Sequence, residues 1–165
     1  MWRDRGLRGL IAFLIVACIC VGSPALRAQG TDATAANAAK LAQVFKQSGY
    51  TYTTHNSTTW SIDLQRKNIG KVKVITSVGS DIVVTFVILA KKANIQKSAQ
   101  FLETLASANH DYDFVKVDLD KDGDLFVRID TPARTLDVQE FKSVVEQVAN
   151  ASNEVYAKVS GSIRR

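Results

Sequence analysis

The chain is short of the residues that most often carry chemistry. Its 165 residues include two cysteines, two prolines, one methionine and two histidines. Both cysteines, Cys18 and Cys20, lie near the N-terminus inside an apolar run. If that run is removed, the remaining chain cannot form a disulfide or a thiolate metal site. Two histidines, His55 and His110, are far apart in sequence and too few for the three or four ligands of a transition-metal site. There is no Gly-rich phosphate loop and no Gly-x-Ser-x-Gly elbow; Ser77-Val78-Gly79-Ser80 falls short of the latter and is explained by a turn. No carboxylate pair sits in an apolar setting suited to glycoside chemistry, since Glu103 and Glu140 fall on the solvated faces of expected helices. Nor is there an apolar stretch of about 20 residues that would span a bilayer. These absences leave a non-catalytic chain, with no catalytic, cofactor-binding or metal-binding residue to name.

What is present begins with an export signal. Arg3, Arg5 and Arg8 precede the uncharged apolar run Leu10–Val21, and Gly22-Ser23-Pro24-Ala25-Leu26-Arg27-Ala28 supplies a helix breaker and small residues. That order is a signal peptide over residues 1–28, and it places the protein in the periplasm or outside the cell. Cleavage after Ala25, cleavage after Ala28 and lipidation at Cys18, in the lipobox-like Ile15-Val16-Ala17-Cys18, remain open. The membrane is then involved only during export, unless Cys18 is lipidated. Loss of residues 1–28 removes four Arg and one Asp, so Lys+Arg falls from 21 to 17 and Asp+Glu from 16 to 15. The net charge drops from +5 to +2. The basic character belongs largely to the signal, so nucleic acid is not an expected partner.

The mature chain reads as a short flexible leader over 29–34, a folded domain over 35–160 and a polar tail over 161–165. Ala38, Leu41, Val44 and Phe45 give a helical period, ended by Gly49. Alternation marks a strand from Tyr50 to Thr53, a second around Trp60, Ile62 and Leu64, and a third around Val72 and Val74. The nearly continuous apolar run Ile82–Ala90 fits a central strand, either covered on both faces or meeting a partner on its outer face. Asn94 is read as the cap of a second helix with Ile95, Ala99, Leu102, Leu105 or Ala106, and Asn109 on one face. Asp120-Lys121-Asp122-Gly123 turns a hairpin between Val115-Val117-Leu119 and Leu125-Val127-Ile129. Asp137 caps a last helix, with Glu140 at the capping-box position and Leu136 and Phe141 as a hydrophobic staple. The order α-β-β-β-β-α-β-β-α, with short connections, implies an α+β domain with a mainly antiparallel sheet.

Asp118-Leu119-Asp120-Lys121-Asp122-Gly123 matches the opening of an EF-hand loop, but Ile129 stands where the bidentate Glu belongs and the flanks read as strands. The expectation is an Asp-rich turn. Lys91, Lys92 and Lys97 form a small basic cluster, read as ordinary charged surface. Phe126 shares a strand face with Arg128 while Leu125 and Val127 point the other way, so an aromatic stands on a nominally polar face. Phe126 and Arg128, with Trp60 and Tyr52 on the early strands, are the candidate interaction surface, or else core residues beneath helices.

One stretch is similar to a known family. From Ala93 to Tyr156, a helix ending in Asn109 leads to Asp113-Phe114-Val115-Lys116-Val117-Asp118, then to the Asp120–Leu125 hairpin, Arg128-Ile129-Asp130 and Leu136-Asp137-Val138-Gln139-Glu140-Phe141. Leu41 to Trp60, with Ser48-Gly49-Tyr50, matches more loosely. This pattern resembles the YbjN-like proteins, a bacterial family grouped as sensory-transduction regulators that shares its fold with type III secretion chaperones. The resemblance implies a chaperone-like fold, a protein-binding role and a protein partner or homodimer, with no active site to transfer. A second reading makes the sheet a carrier or sensor for a small apolar ligand, held in a closed cavity lined by Phe86, Ile88 and Trp60.

Overall fold

Three helices lie on one side of a six-stranded antiparallel sheet in the computed structural model, which describes residues 25–164. The expected signal peptide, with Cys18, lies outside the described residues except for 25–28. Helix α1 spans Ala25–Ser48, so the stretch 29–34 expected as a leader is helical instead. Alanine recurs through it, and alanine has the strongest helix propensity. The helix stops where expected: Gly49 takes φ 81°, open to glycine at little cost.

Strands β1 (Tyr52–Asn56), β2 (Thr59–Arg66), β3 (Gly70–Val78) and β4 (Ile82–Ala90) follow as a meander. Helix α2 (Ala99–Asp111) then crosses to the far edge, where β5 (Lys116–Leu119) and β6 (Leu125–Pro132) form a hairpin. The sheet order is β1-β2-β3-β4-β6-β5. In the hairpin turn the Asp120 carboxylate accepts from the backbone N–H groups of Asp122 and Asp124, both at 2.9 Å, and Gly123 takes φ 85°. Helix α3 (Val138–Val159) has Asp137 as its N-cap, accepting from Glu140 N–H at 2.8 Å. Leu136 and Phe141 are both buried, as a staple requires. The expected α+β fold and element order are the ones found.

α3 lies across β2, β3, β4 and β6, with α1 and α2 beside it. Its buried side is therefore broad, taking in Phe141, Val144, Val145, Val148, Ala149, Ala151, Val155 and Val159. Two expectations about α2 are corrected. It starts at Ala99 with Ser98 as N-cap, because the Ser98 hydroxyl accepts from Phe101 N–H at 3.1 Å while Lys92–Asn94 forms a short 3-10 turn. Its buried face is Phe101, Leu105 and Ala108, leaving Leu102 50% exposed. Ile95 is not on a helix; it pairs with Ile163 in an isolated antiparallel bridge. Gln96 N–H and Arg164 N–H add bonds to Ser162 O and Asn94 O, so the expected polar tail is tied to the domain up to Arg164. No helix among the described residues is long and apolar enough to cross a membrane.

Candidate interaction surface

Strand alternation divides the sheet into two unlike faces. Trp60, Ile62, Val72, Val74, Val78, Val83, Val87, Val127 and Ile129 are buried on the helix side. Their neighbours point the other way, and among the described residues no helix lies over them. Register places these outward side chains in rows. Arg128 stands opposite Phe86 and Phe86 opposite Ile75. Phe126 stands opposite Ile88, Asp130 and Ser77 flank Val84, and Ile82 faces Pro132. The result is a half-buried apolar strip of Ile75, Val84, Phe86, Ile88 and Phe126, continued by Ile82 at 47% exposure. The Phe86 and Phe126 rings meet at 5.4 Å.

Charge borders the strip on both sides. On the β2–β3 flank Asp63 holds Lys71 at 2.9 Å and Lys73 at 3.5 Å. The hydrogen bond from Lys71 keeps the Asp63 carboxyl below its ordinary range. On the β5–β6 flank Lys116 contacts Asp130 at 2.8 Å, and Arg128 lies between Asp118 at 3.7 Å and Asp130 at 3.8 Å. Arg128 Nε is buried without a hydrogen-bond partner. An apolar centre with a polar rim has the anatomy of a protein-binding surface.

The four candidate residues separate. Phe126 and Arg128 belong to the helix-free face. Trp60 and Tyr52 lie on the other face, where Trp60 is 5% exposed and stacks on Phe45 at 5.5 Å and Tyr52 packs on the same ring at 5.1 Å. Tyr52 pairs with Ile62, which fixes its side of the sheet. The same division separates Phe86 and Ile88 from Trp60, so these three line no common cavity. A groove of about 560 Å³ runs beside Trp60, but its other walls are small residues of α1, among them Ala35, Ala38 and Ala42, with Ser57 and Thr58 of the turn between β1 and β2. Ile75 was not singled out in the sequence, although its position two residues after Lys73 carried the signal.

The remaining candidates have structural partners. In the Asp-rich turn, Asp120 is bound to backbone N–H groups, and Asp124 takes Lys91 Nζ at 2.7 Å and Lys92 N–H at 2.9 Å. His55 Nε2 lies 2.8 Å from the Ser61 hydroxyl, and His110 is in the last turn of α2. Among the described residues no three His, Cys, Asp or Glu side chains are grouped to hold a metal ion.

Residues 37–160 match the family model described as "Putative bacterial sensory transduction regulator". The chain belongs to the YbjN family. No curated protein matches it. Solved structures supply the likeness in fold for this YbjN member. A chain from the crystal structure of the ExsC–ExsE complex is 12% identical with a TM-score of 0.54, over 76% of this chain and 95% of that one. A chain of the heterodimeric ExoU–SpcU complex from the type III secretion system of Pseudomonas aeruginosa is 13% identical with a TM-score of 0.49, over 74% and 96%. At 12% identity, the likeness to the chain from the ExsC–ExsE complex is one of fold.

Proposed function

We propose that this YbjN-family protein is an exported, non-catalytic, chaperone-like module that binds another protein through the helix-free face of its sheet. The observation that carries the reading is the apolar strip on that face, Ile75, Val84, Phe86, Ile88 and Phe126, with no described helix over it. A soluble domain gains by covering such a strip, at roughly 25 cal/mol per Å² of apolar surface before association costs. The fold likeness to a chain from the ExsC–ExsE complex agrees with a protein partner. The partner is a heterologous protein or a second copy of the chain. The N-terminal Arg residues, apolar run and small-residue site support a periplasmic or secreted location.

Light scattering on protein purified from its native compartment tests the binding reading. A dimer, or a stoichiometric complex, is expected for the wild type, and Phe126→Asp should give a free monomer with an unchanged circular dichroism spectrum. A wild-type monomer without a partner overturns it. Fractionation and N-terminal sequencing test export: a periplasmic or secreted chain starting at Leu26 or Gln29, or a lipidated Cys18, is expected, and an intact cytoplasmic chain overturns it.

A further inference from the structure

We propose a second binding site at the sheet edge, separate from the helix-free face: a notch on β6 that takes a short extended peptide of basic and apolar character. β5 pairs only with Leu125–Arg128, while β6 continues to Pro132. From Ile129 to Pro132 the strand therefore has β4 on one side and no described strand on the other.

The register fixes which backbone groups face the gap. Asn109 donates to Val117 O at 2.6 Å and accepts from Val117 N–H at 2.8 Å. Both Val117 backbone groups thus point away from β6, so Val117 and Val127 are a pair that exchanges no backbone bonds. The adjoining pair, Lys116 and Arg128, does exchange them. Asp130, two residues further along β6, directs its N–H and C=O the same way, past the end of β5. The opposite side agrees: Ala133 N–H bonds to Asp81 O at 2.8 Å, which turns the odd-numbered residues of β6 toward β4. No described residue pairs with the outward groups of Asp130.

Beside this edge runs a groove of about 350 Å³ between β6 and α3, with Phe114, Ile129, Val144, Gln147 and Glu140 among its walls. Phe114, at 72%, is the most exposed large hydrophobic residue described. Sheet edges are normally blocked, and this protein blocks the β5 half with the Asn109 amide. The β6 half has unpaired backbone, an apolar wall and an exposed aromatic rim. The four residues of edge, at about 3.3 Å each, give length for a strand of about four residues, but its backbone bonds are the two to Asp130, because Pro132 has no N–H and its C=O accepts from Thr135 N–H at 3.1 Å and Thr135 Oγ1 at 3.0 Å. Glu140 in the groove and Asp113 beside Phe114 are anionic, the Asp130 carboxylate is already matched by Lys116 at 2.8 Å and Arg128 at 3.8 Å, and no cationic side chain is among the groove's lining residues. An occupant with apolar residues facing Ile129 and Val144 and lysine or arginine between them matches both features.

The test is an amide-resolved NMR titration with a capped hexapeptide of alternating lysine and valine. In the free protein, hydrogen exchange should be fast at Asp130 N–H and slow at Ile129 and Thr131 N–H. Peptide addition should slow Asp130 and shift signals from Phe114 to Val117 and from Ile129 to Thr131. The same peptide with N-methylated backbone should lose at least tenfold in affinity. Phe114→Ala and Glu140→Gln, both surface changes, should each weaken binding at least threefold, the second with a shallower salt dependence. Protection of Asp130 in the free protein, no shifts at millimolar peptide, shifts confined to the helix-free face, or equal binding of the N-methylated peptide would each overturn the proposal.

Discussion

The two faces of the sheet are built from similar residues and do different work. On the helix side, valines, Leu125, Ile62 and Trp60 disappear beneath α1, α2 and α3. On the other side Ile75, Val84, Phe86, Ile88 and Phe126 are comparably apolar but only half buried. Composition alone does not distinguish them, because alternation reports which side chains share a face and not which face is covered. The covered face holds the fold together, and the other is apolar surface left over after folding.

The sharpest way to break this contrast is to truncate one aromatic from each face. Phe141 is fully buried, contacts Phe45 at 4.6 Å and anchors α3 on the sheet. Phe141→Ala should cost about 3–5 kcal/mol in urea unfolding, the range for a large side chain lost from a packed core. Phe86→Ala should cost about 1–2 kcal/mol in the monomer, since Phe86 is only half buried and its ring contact is with Phe126. Equal losses would mean that the helix-free face is as much a part of the core as the other.

A smaller effect is expected at the edge. Asn109→Ala removes both bonds to Val117 and leaves an N–H and a C=O of β5 without their partner. About 1–3 kcal/mol should be lost, with faster exchange at Val117 N–H and little change at Val127. Unchanged exchange at Val117 would show that Asn109 does not seal the edge.

Much of the fold was legible in the sequence because its signals are local. Alternation located the strands, Gly49 and Gly123 the turns, and Asp137 with Leu136 and Phe141 the start of α3. What was missed depends on tertiary context. Ser98 displaced Asn94 as the cap because Ile95 is drawn into a bridge with Ile163, a partner 68 positions away. Trp60 and Tyr52 read as possible surface residues because nothing local announces that Phe45 of α1 will cover them. Phe126 and Arg128 stood out because an aromatic interrupts a polar alternation. The notch on β6 was invisible, since it depends on where β5 ends relative to its partner.

Within the covered side, α3 carries one inconsistency. Ser152 is fully buried and its hydroxyl has no hydrogen-bond partner. Ser152→Ala removes an unsatisfied polar group and little volume, so stability should rise by about 1 kcal/mol. A loss of stability would reveal a partner for the hydroxyl in solution.

The smallest effect concerns the polar rims, and it appears only in alkali. At the rim of the covered face, Glu146 on α3 receives the Tyr50 hydroxyl at 3.0 Å and pairs with Arg66 of β2. Burial, together with the Glu146 carboxylate, pushes the Tyr50 pKa up to about 12 from 10.0. The folded protein therefore keeps this proton over a range in which the unfolded chain releases it. The associated stability is complete below pH 10 and is lost as pH rises toward 12. Tyr112, half-buried and bound to Glu154 at 2.6 Å, shifts in the same direction. The ion pairs on the helix-free face, such as Lys71–Asp63, are exposed, so salt should screen them with little effect on stability. Tyr50→Phe should accordingly flatten the decline in thermal midpoint between pH 10 and 12, while 0.5 M salt leaves the neutral-pH midpoint nearly unchanged. A wild-type slope retained in Tyr50→Phe would remove Glu146 and Tyr50 from the forces that seal the helix layer.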